Sequence, residues 1–300
     1  MKKIVFYFFC LVLFTSCGEK TSGKAEENLT SGTATMYVDN SVLPVVEDVA
    51  AVFQSRYPQV NLKTIGFPET DIIRFMLADS ARIVVLTRKL TADEESNFRK
   101  RKITAKINEF ASDAVALVAQ KNGDTVIDLQ EILKVFQGKP SKVSRIVFDS
   151  PDSGTVKFLM EKAGVKTLPK QNIYALKNNA QVLEYVKNNK GAIGAIGLNL
   201  LLQPTKDVEN LVREIEVLSV SDVKNKKIDN KAYKPNQSTI AAGSYPLIRK
   251  LYVLNYQGIQ GLGMGFANYV TSPDGQRIIL KSGLLPVTMP TREIEVTNNL

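Results

Sequence analysis

Short apolar runs alternate with segments of helical periodicity along most of the chain. An apolar run at residues 35–38 is followed at 45–53 by a segment whose apolar positions fall on one helical face. The same order continues, with apolar or strand-like runs at 60–65, 82–86, 112–119, 143–148 and 191–197 and helices predicted at 69–78, 128–136, 155–162 and 181–187. This order predicts an α/β fold whose mostly parallel sheet is covered on both faces. One continuous sheet and two half-size lobes fit the pattern equally well.

The first residues follow a different pattern. A basic dipeptide precedes an apolar stretch at 4–14, and small residues then lead to Cys17. The apolar stretch is about half the roughly 20 residues that a membrane-spanning helix needs, whereas secretory signals of this length are usual. We therefore predict a signal peptide at 1–16. The polar segment at 17–33 has almost no apolar residue, so we expect it to be a flexible tether.

Residues 13–18, Leu-Phe-Thr-Ser-Cys-Gly, resemble a lipobox, in which a lipidated cysteine becomes the first residue after cleavage. The resemblance implies a diacylglyceryl group on Cys17 and a protein held in the bacterial cell envelope, in either the inner or the outer membrane. Phe14 departs from the motif, which usually has leucine there. The alternative is an ordinary signal peptide with an incidental cysteine.

The composition excludes several kinds of catalytic site. The chain has no histidine, and of its two cysteines Cys10 lies in the predicted signal peptide. Histidine-based zinc sites, Ser-His-Asp triads and Cys-His pairs therefore cannot be built from it, and no disulfide can form within one mature chain. Neighbouring carboxylates such as Glu94 and Glu95 fit a solvated helical face better than an active site. We expect neither an enzyme nor a metal or other cofactor.

The charge points to an anionic partner. The formal net charge is +9, and it falls to +7 once Lys2 and Lys3 leave with the signal peptide. A basic balance suits nucleic acid, an anionic surface or an anionic solute, and export makes nucleic acid the least suitable of these.

The first of two candidate anion-binding turns joins a predicted strand to a predicted helix. It contains Asn40, Ser41 and Val42, with Pro44 in the first helical turn. The free N–H groups and the positive dipole pole at a helix start form a ready anion site. The alternative is that Ser41 only caps the helix.

The second turn has the same strand-to-helix position. Ser153, Gly154 and Thr155 lie where the helix at 155–162 begins. Glycine lets a ligand approach the backbone, and hydroxyl and N–H groups can surround an oxyanion. A capped helix is again the alternative, but two such turns in one basic exported chain favour a site closed from two sides.

With this Ser-Gly-Thr sequence the chain resembles the phosphate-type periplasmic solute-binding proteins of ABC uptake systems, over nearly its whole length after the predicted tether. The matching segments occur in the family's order at 39–45, 111–118, 128–138, 186–197, 245–252 and 266–287. The resemblance implies a type II periplasmic-binding-protein fold, in which two lobes joined by a hinge enclose a cleft. It places lobe I at 34–113 and 242–300 and lobe II at 114–241. It also implies a monomer that captures phosphate or a related small oxyanion and passes it to ABC permease subunits.

Both charged landmarks of that family are changed in this chain. The family has an arginine four residues before the serine of Ser-Gly-Thr, where this chain has Asp149, and it has an aspartate where this chain offers Thr87 and Arg88. In one interpretation Arg88 supplies the missing charge and Asp149 accepts the ligand proton. In the other, phosphate is not the ligand, and the chain is a structural, sensory or interaction lipoprotein. An unpaired carboxylate beside phosphate would cost roughly several kcal/mol in a closed cleft.

Overall fold

The computed structural model describes residues 27–224 and 231–291. The predicted signal peptide and Cys17 lie outside the described residues. The strands are β1 (Gly32–Asp39), β2 (Val60–Phe67), β3 (Ile83–Leu86), β4 (Lys106–Gln120), β5 (Val126–Asp128), β6 (Arg145–Phe148), β7 (Ile173–Ala175), β8 (Ala192–Gly197), β9 (Ile215–Val217), β10 (Ser219–Ser221), β11 (Ile248–Asn255) and β12 (Leu285–Pro286). The helices are α1 (Leu43–Arg56), α2 (Glu69–Leu77), α3 (Ala92–Lys100), α4 (Leu129–Phe136), α5 (Gly154–Ala163), α6 (Asn179–Asn188), α7 (Leu198–Leu202), α8 (Glu209–Arg213), α9 (Gln237–Ala241), α10 (Leu262–Thr271) and α11 (Pro273–Lys281).

A mixed sheet runs through the molecule in the order β2-β1-β3-β11-β4-β8-β6-β7, and β9 and β12 also pair with β4. Strands β1, β2 and β3 are parallel to one another, as are β6, β7 and β8. Strands β4 and β11 run antiparallel to their neighbours. The sheet is therefore less uniformly parallel than predicted, because the two strands by which the chain passes between its halves run antiparallel to each other and to the strands beside them.

The sheet is covered on both faces in each half, and each face has its own apolar core. The cores of lobe I draw on residues 36–111 and 251–284, whereas those of lobe II draw on residues 114–247. Helices α1, α10 and α11 cover one face of lobe I, and α2 and α3 cover the other. This is the two-lobed type II periplasmic-binding-protein fold. The residue boundaries given above for the lobes stay a prediction.

The segment before β1 is packed on lobe I. Glu27 Oε1 accepts hydrogen bonds from Gln257 Nε2 at 2.8 Å and from the backbone N–H of Leu262 at 2.7 Å, so this carboxylate lies at the N-terminus of α10. Strand β1 begins at Gly32, two residues before the predicted start of the globule. A flexible tether had been predicted through residue 33, but its last seven residues belong to the folded lobe.

Two further details concern the helices. The segment that ends the family match contains two helices, α10 and α11, which are separated at Ser272 because Pro273 has no N–H for the helical ladder. Thr91 and Glu94 form a capping box that starts the polar helix α3. Across residues 27–224 and 231–291, every helix is too short or too polar to cross a membrane.

Candidate functional site

The turn between β1 and α1 places Ser41 in the cleft rather than at a helix cap. Helix α1 starts after Val42, with Pro44 in its first turn and without a side-chain cap. The backbone N–H and the hydroxyl of Ser41 both bond to Asp39 Oδ1, at 2.8 and 2.6 Å. The side chain is buried, and its oxygen accepts a hydrogen bond from Arg249 Nη2 of β11. Local helix capping therefore does not explain this serine.

The two hydroxyls of the second turn, between β6 and α5, have different roles. One caps the helix and the other contacts the site. Ser153 caps α5, accepting from the N–H of Val156 at 3.4 Å and donating to the carbonyl oxygen of Ser150 at 3.1 Å. The capping alternative thus describes Ser153. Thr155 is also buried, but its hydroxyl oxygen accepts a hydrogen bond from Arg249 Nη1 at 3.3 Å.

Arg249 is the central cation of the site. It lies on β11, directly opposite Asp113 of β4 in the strand register, and only 3% of its surface is exposed. Its Nε and Nη2 donate to Asp113 Oδ2 at 2.9 and 2.6 Å. Its Nη2 also reaches Ser41 Oγ, at 3.1 Å. One guanidinium therefore joins a hydroxyl of lobe I to a hydroxyl of lobe II.

Neither member of this ion pair was among the predicted site residues. The sequence carries a partial signal, because Asp113 is the single charge of the otherwise uncharged segment 111–118, and Arg249 lies beside Lys250 in the segment 245–252. A charge inside a buried strand requires a partner. The sequence did not indicate that the two strands would be adjacent or in which register.

Asp39, at the end of β1, is another site residue that the sequence did not predict. It is completely buried, and its Oδ1 accepts two bonds from Ser41. Its Oδ2 has no hydrogen-bond partner among residues 27–224 and 231–291. This oxygen faces the Cα of Gly154, where an added Cβ would collide with Oδ2 and would lie 2.8 Å from Thr87 Oγ1. The close approach of the two lobes at this point therefore requires glycine.

Asp149, which replaces the arginine expected in the family, lies close to the same contact. Only 9% of its surface is exposed, and within the described ranges it forms no ion pair with a lysine or arginine. Burial raises the pKa of Asp149 and the negative charge of Asp39 adds to the rise, whereas hydrogen bonds from Ser153 and the backbone oppose it. The site therefore has more buried carboxylate than the family pattern predicts.

Arg88 is fully engaged by carboxylates. Its Nε donates to Glu69 Oε1 at 2.7 Å, and its two terminal nitrogens donate to the two oxygens of Glu94 at 2.8 and 3.0 Å. Burial raises the pKa of Glu69 to about 6, although Arg88 opposes the rise. The charge of Arg88 is thus already balanced, and Arg249 is the cation in contact with both turns.

The other two predicted binding residues do not contribute free groups to the cleft. Asn40 is exposed, and its N–H bonds to the carbonyl oxygen of Phe67 at 3.1 Å. The N–H of Val42 bonds to the carbonyl oxygen of Asp39, and the Val42 side chain lies in the core of lobe I. The structure therefore brings together Ser41, Thr87, Asp149, Ser153, Gly154 and Thr155.

The geometry suits a small oxyanion with at least one protonated oxygen. Hydroxyls, a helix N-terminus and a guanidinium converge on the interface between the lobes, while Asp39 Oδ2 remains a free acceptor. No group of three or more acidic or cysteine side chains in the described ranges could hold a metal ion.

Comparison with known proteins supports the fold. The family model described as PBP superfamily domain matches residues 23–274. The phosphate-binding protein PstS of Staphylococcus epidermidis is 24% identical over 258 residues, covering 81% of this chain and 74% of its own length. PstS of Staphylococcus aureus is also 24% identical, with 81% and 73% covered.

Solved structures show the same architecture. A substrate-binding protein from Clostridium perfringens, attributed to a phosphate ABC transporter and solved with bound phosphate, superposes with a TM-score of 0.67 at 20% identity. The match covers 86% of this chain and 100% of that one. An ABC-type phosphate transport receptor from Vibrio cholerae gives a TM-score of 0.63 at 18% identity, with 85% and 100% covered. This chain belongs to the PBP superfamily, whose model matches most of its length.

Proposed function

We propose that this protein is the lipid-anchored substrate-binding component of a phosphate-type ABC uptake system and captures phosphate or a related small oxyanion in its cleft. The bridging position of Arg249 carries the proposal. Its guanidinium contacts Ser41 Oγ from lobe I and Thr155 Oγ1 from lobe II, so an oxyanion between these hydroxyls would hold the lobes together. Closure would exclude water and strengthen each of those bonds. The protein makes and breaks no covalent bond in this role.

The proposed charge balance differs from the interpretation in which Arg88 supplies the cation and Asp149 accepts the ligand proton. Arg249 takes the place of Arg88, and Asp39 Oδ2, which faces Gly154, takes the place of Asp149 as acceptor. Asp39 and Asp149 both oppose a fully ionised ligand, so we expect a protonated oxyanion such as hydrogen phosphate to bind better than sulfate.

Isothermal titration of the purified protein with phosphate, sulfate, molybdate and phosphonates tests the proposal. We expect phosphate binding, and we expect Thr155→Val to weaken it about tenfold, because one hydroxyl hydrogen bond to a charged group is worth about 1.5 kcal/mol. Thr271→Val is the matched control, since it removes a hydroxyl bonded to Ala267 on α10, outside the cleft. Absence of heat with all the anions would contradict the oxyanion proposal.

One observation favours a second candidate function. Among the residues that the structure describes, the buried carboxylates of Asp39 and Asp149 form no ion pair, which would also fit an interaction or sensory lipoprotein that keeps the fold and has lost the ligand. In that case Thr155→Val and wild type would behave identically towards every anion.

The anchor is part of the proposal and has a separate test. The lipobox at Cys17 supports attachment to the membrane, and the packing of Glu27 on α10 leaves only the segment between them as tether. Direct delivery to a permease over so short a span requires an inner-membrane anchor, since reach grows as about 5–6 Å times the square root of the number of residues. Cys17→Ala should move the protein from the membrane fraction to the soluble fraction.

A further inference from the structure

The cleft continues outward from Gly154 and Thr87 into a cavity of about 590 Å³ that is open on one side. An inorganic oxyanion has five heavy atoms and would occupy roughly the volume of two or three water molecules, at about 30 Å³ each. Cavities of several hundred Å³ are typical of sites for organic ligands. The cavity is therefore much larger than phosphate requires.

Part of the cavity wall is made of apolar and aromatic side chains. Leu90 and Tyr252 line it from lobe I, and Phe158 lines it from helix α5 of lobe II. Apolar and aromatic surface next to the oxyanion turns would favour a ligand with an organic substituent, because covering it removes apolar area from water.

Two lysines from opposite lobes, Lys89 and Lys162, line the cavity and are exposed, which marks the outer end of the cavity. Lys89 Nζ lies 5.3 Å from the centre of the Tyr252 ring, and Lys162 Nζ lies 5.5 Å from the centre of the Phe158 ring. Neither forms an ion pair in the part of the chain that the structure describes. A third lysine of the lining, Lys250, is already paired with Glu109 at 2.8 Å.

The acidic groups of the lining limit where a second anion could lie. Glu69 is buried against Arg88, while Glu161 is exposed on α5 beside Lys162. Adjacent residues of a helix do not face each other, so Lys162 can turn towards Lys89 without pairing with Glu161. Glu161 would still repel a second negative group at this end.

We propose that the ligand is an organic phosphate or phosphonate that carries a second negative group, which is held between Lys89 and Lys162 at the outer end of the cavity. This inference rests on the proposed oxyanion site. It assigns the first oxyanion to Ser41, Thr155 and Arg249, the carbon linker to the aromatic wall, and the second anion to the two lysines.

Calorimetry with three probes tests the inference: inorganic phosphate, ethylphosphonate and phosphonoacetate. The last two are similar in size, but phosphonoacetate has a carboxylate where ethylphosphonate has a methyl group. We expect phosphonoacetate to bind about tenfold more tightly than ethylphosphonate, which is the effect of two exposed ion pairs. In the Lys89→Gln/Lys162→Gln protein the ratio should fall to about one, with phosphate affinity unchanged.

Two variants serve as controls for lysine number and for local charge. Lys250→Gln removes a rim lysine that is already paired, so the tenfold ratio should remain. Glu161→Gln removes the exposed acid, so phosphonoacetate should bind about two- to threefold more tightly. All these side chains are exposed, and thermal unfolding should confirm that each variant folds like wild type.

The outcomes separate this inference from the proposed function. Equal affinities for the two phosphonates in wild type, or a ratio that survives in the double lysine variant, would overturn the inference alone. Binding of phosphate without binding of either phosphonate would do the same. Failure of all three probes to bind would overturn both the inference and the oxyanion site.

Discussion

Replacing Asp39 by asparagine should convert the cleft into a better site for fully ionised oxyanions. Asp39 is completely buried, and its Oδ2 faces Gly154 at the start of α5 without a hydrogen-bond partner. Asparagine has the same shape, and its amide oxygen can still accept from the N–H and hydroxyl of Ser41, which lie 2.8 and 2.6 Å from Oδ1. The substitution therefore removes a charge while keeping the local hydrogen bonds.

The magnitude follows from Coulomb's law. An oxyanion bound to Ser41 Oγ would lie about 4 Å from the Asp39 carboxylate, and two unit charges at that distance repel by about 4 kcal/mol at an effective dielectric constant of 20. If relaxation of the protein and solvent halves this repulsion, about 2 kcal/mol remains, which corresponds to roughly 30-fold in affinity. Hydrogen phosphate should gain less than sulfate, because it can donate its proton to Asp39 in the wild-type protein.

Isothermal titration with sulfate and phosphate, at a pH where both are mainly dianions, measures the effect. Asp152→Asn is the matched control, because Asp152 lies in the turn before α5 but is exposed, and we expect its effect to stay within twofold. If Asp39→Asn binds sulfate no more tightly than wild type does, Asp39 does not oppose the ligand, and the charge balance proposed for the cleft is wrong.

Two stability predictions concern the buried charges beside the cleft. Arg249→Gln should lower the free energy of unfolding by about 3–5 kcal/mol in urea denaturation, because it leaves Asp113 buried without a cation, whereas Lys250→Gln at an exposed pair should cost less than about 1 kcal/mol. Burial raises the pKa of Glu69 from 4.5 to about 6, so between these pH values the folded state holds a proton that the unfolded state has lost. The stability that this proton contributes is fully present below pH 4.5 and is lost as pH rises through 6. Glu69→Gln should remove up to about 2 kcal/mol of that pH dependence, while the exposed control Glu47→Gln should leave it unchanged; identical pH profiles for wild type and Glu69→Gln would contradict the assignment.

The elements that the sequence predicted well are those with a strong local signal. The strand at 35–38 lies inside β1, and the helix at 128–136 corresponds to α4, where Asp128 caps the N-terminus by accepting from the N–H of Gln130. Helix α5 ends at Gly164, whose φ of 68° is the left-handed conformation that glycine adopts readily. Each of these signals acts within a few residues, so a single sequence contains it.

The parts that were missed depend on contacts between distant segments. The sequence predicts a strand at 112–119, but β4 extends from Lys106 to Gln120. The strand is longer because its first part pairs with β11 and its second part pairs with β8 and β9. The short strands β5 and β10 form their own two-stranded sheet and have too few residues for a periodic pattern. Propensity could not show that these segments would be neighbours.

The same distinction decides which site residues could be found. The Ser-Gly-Thr turn and Ser41 were identified because a strand, a small polar turn and a helix start follow one another in the chain. The cation was assigned to Arg88 because it lies beside the matching family position, yet Glu69 and Glu94 balance that charge from two helices. The cation that does meet both turns is Arg249, whose carboxylate partner lies 136 residues away.

The position of Arg249 also explains how the family's charged landmarks could change without loss of the fold. Because Asp113 and Arg249 lie on the two crossover strands, their ion pair is formed by the sheet itself and does not depend on a bound solute. A cation at this position can serve either turn, so the arginine expected at residue 149 is not needed to keep positive charge in the cleft. If the proposed oxyanion site is right, the change at residue 149 alters selectivity, because Asp149 and Asp39 both disfavour charge on the ligand. We therefore expect the cleft to favour a ligand that brings its own protons to the inner contact and places its remaining charge further out, towards Lys89 and Lys162.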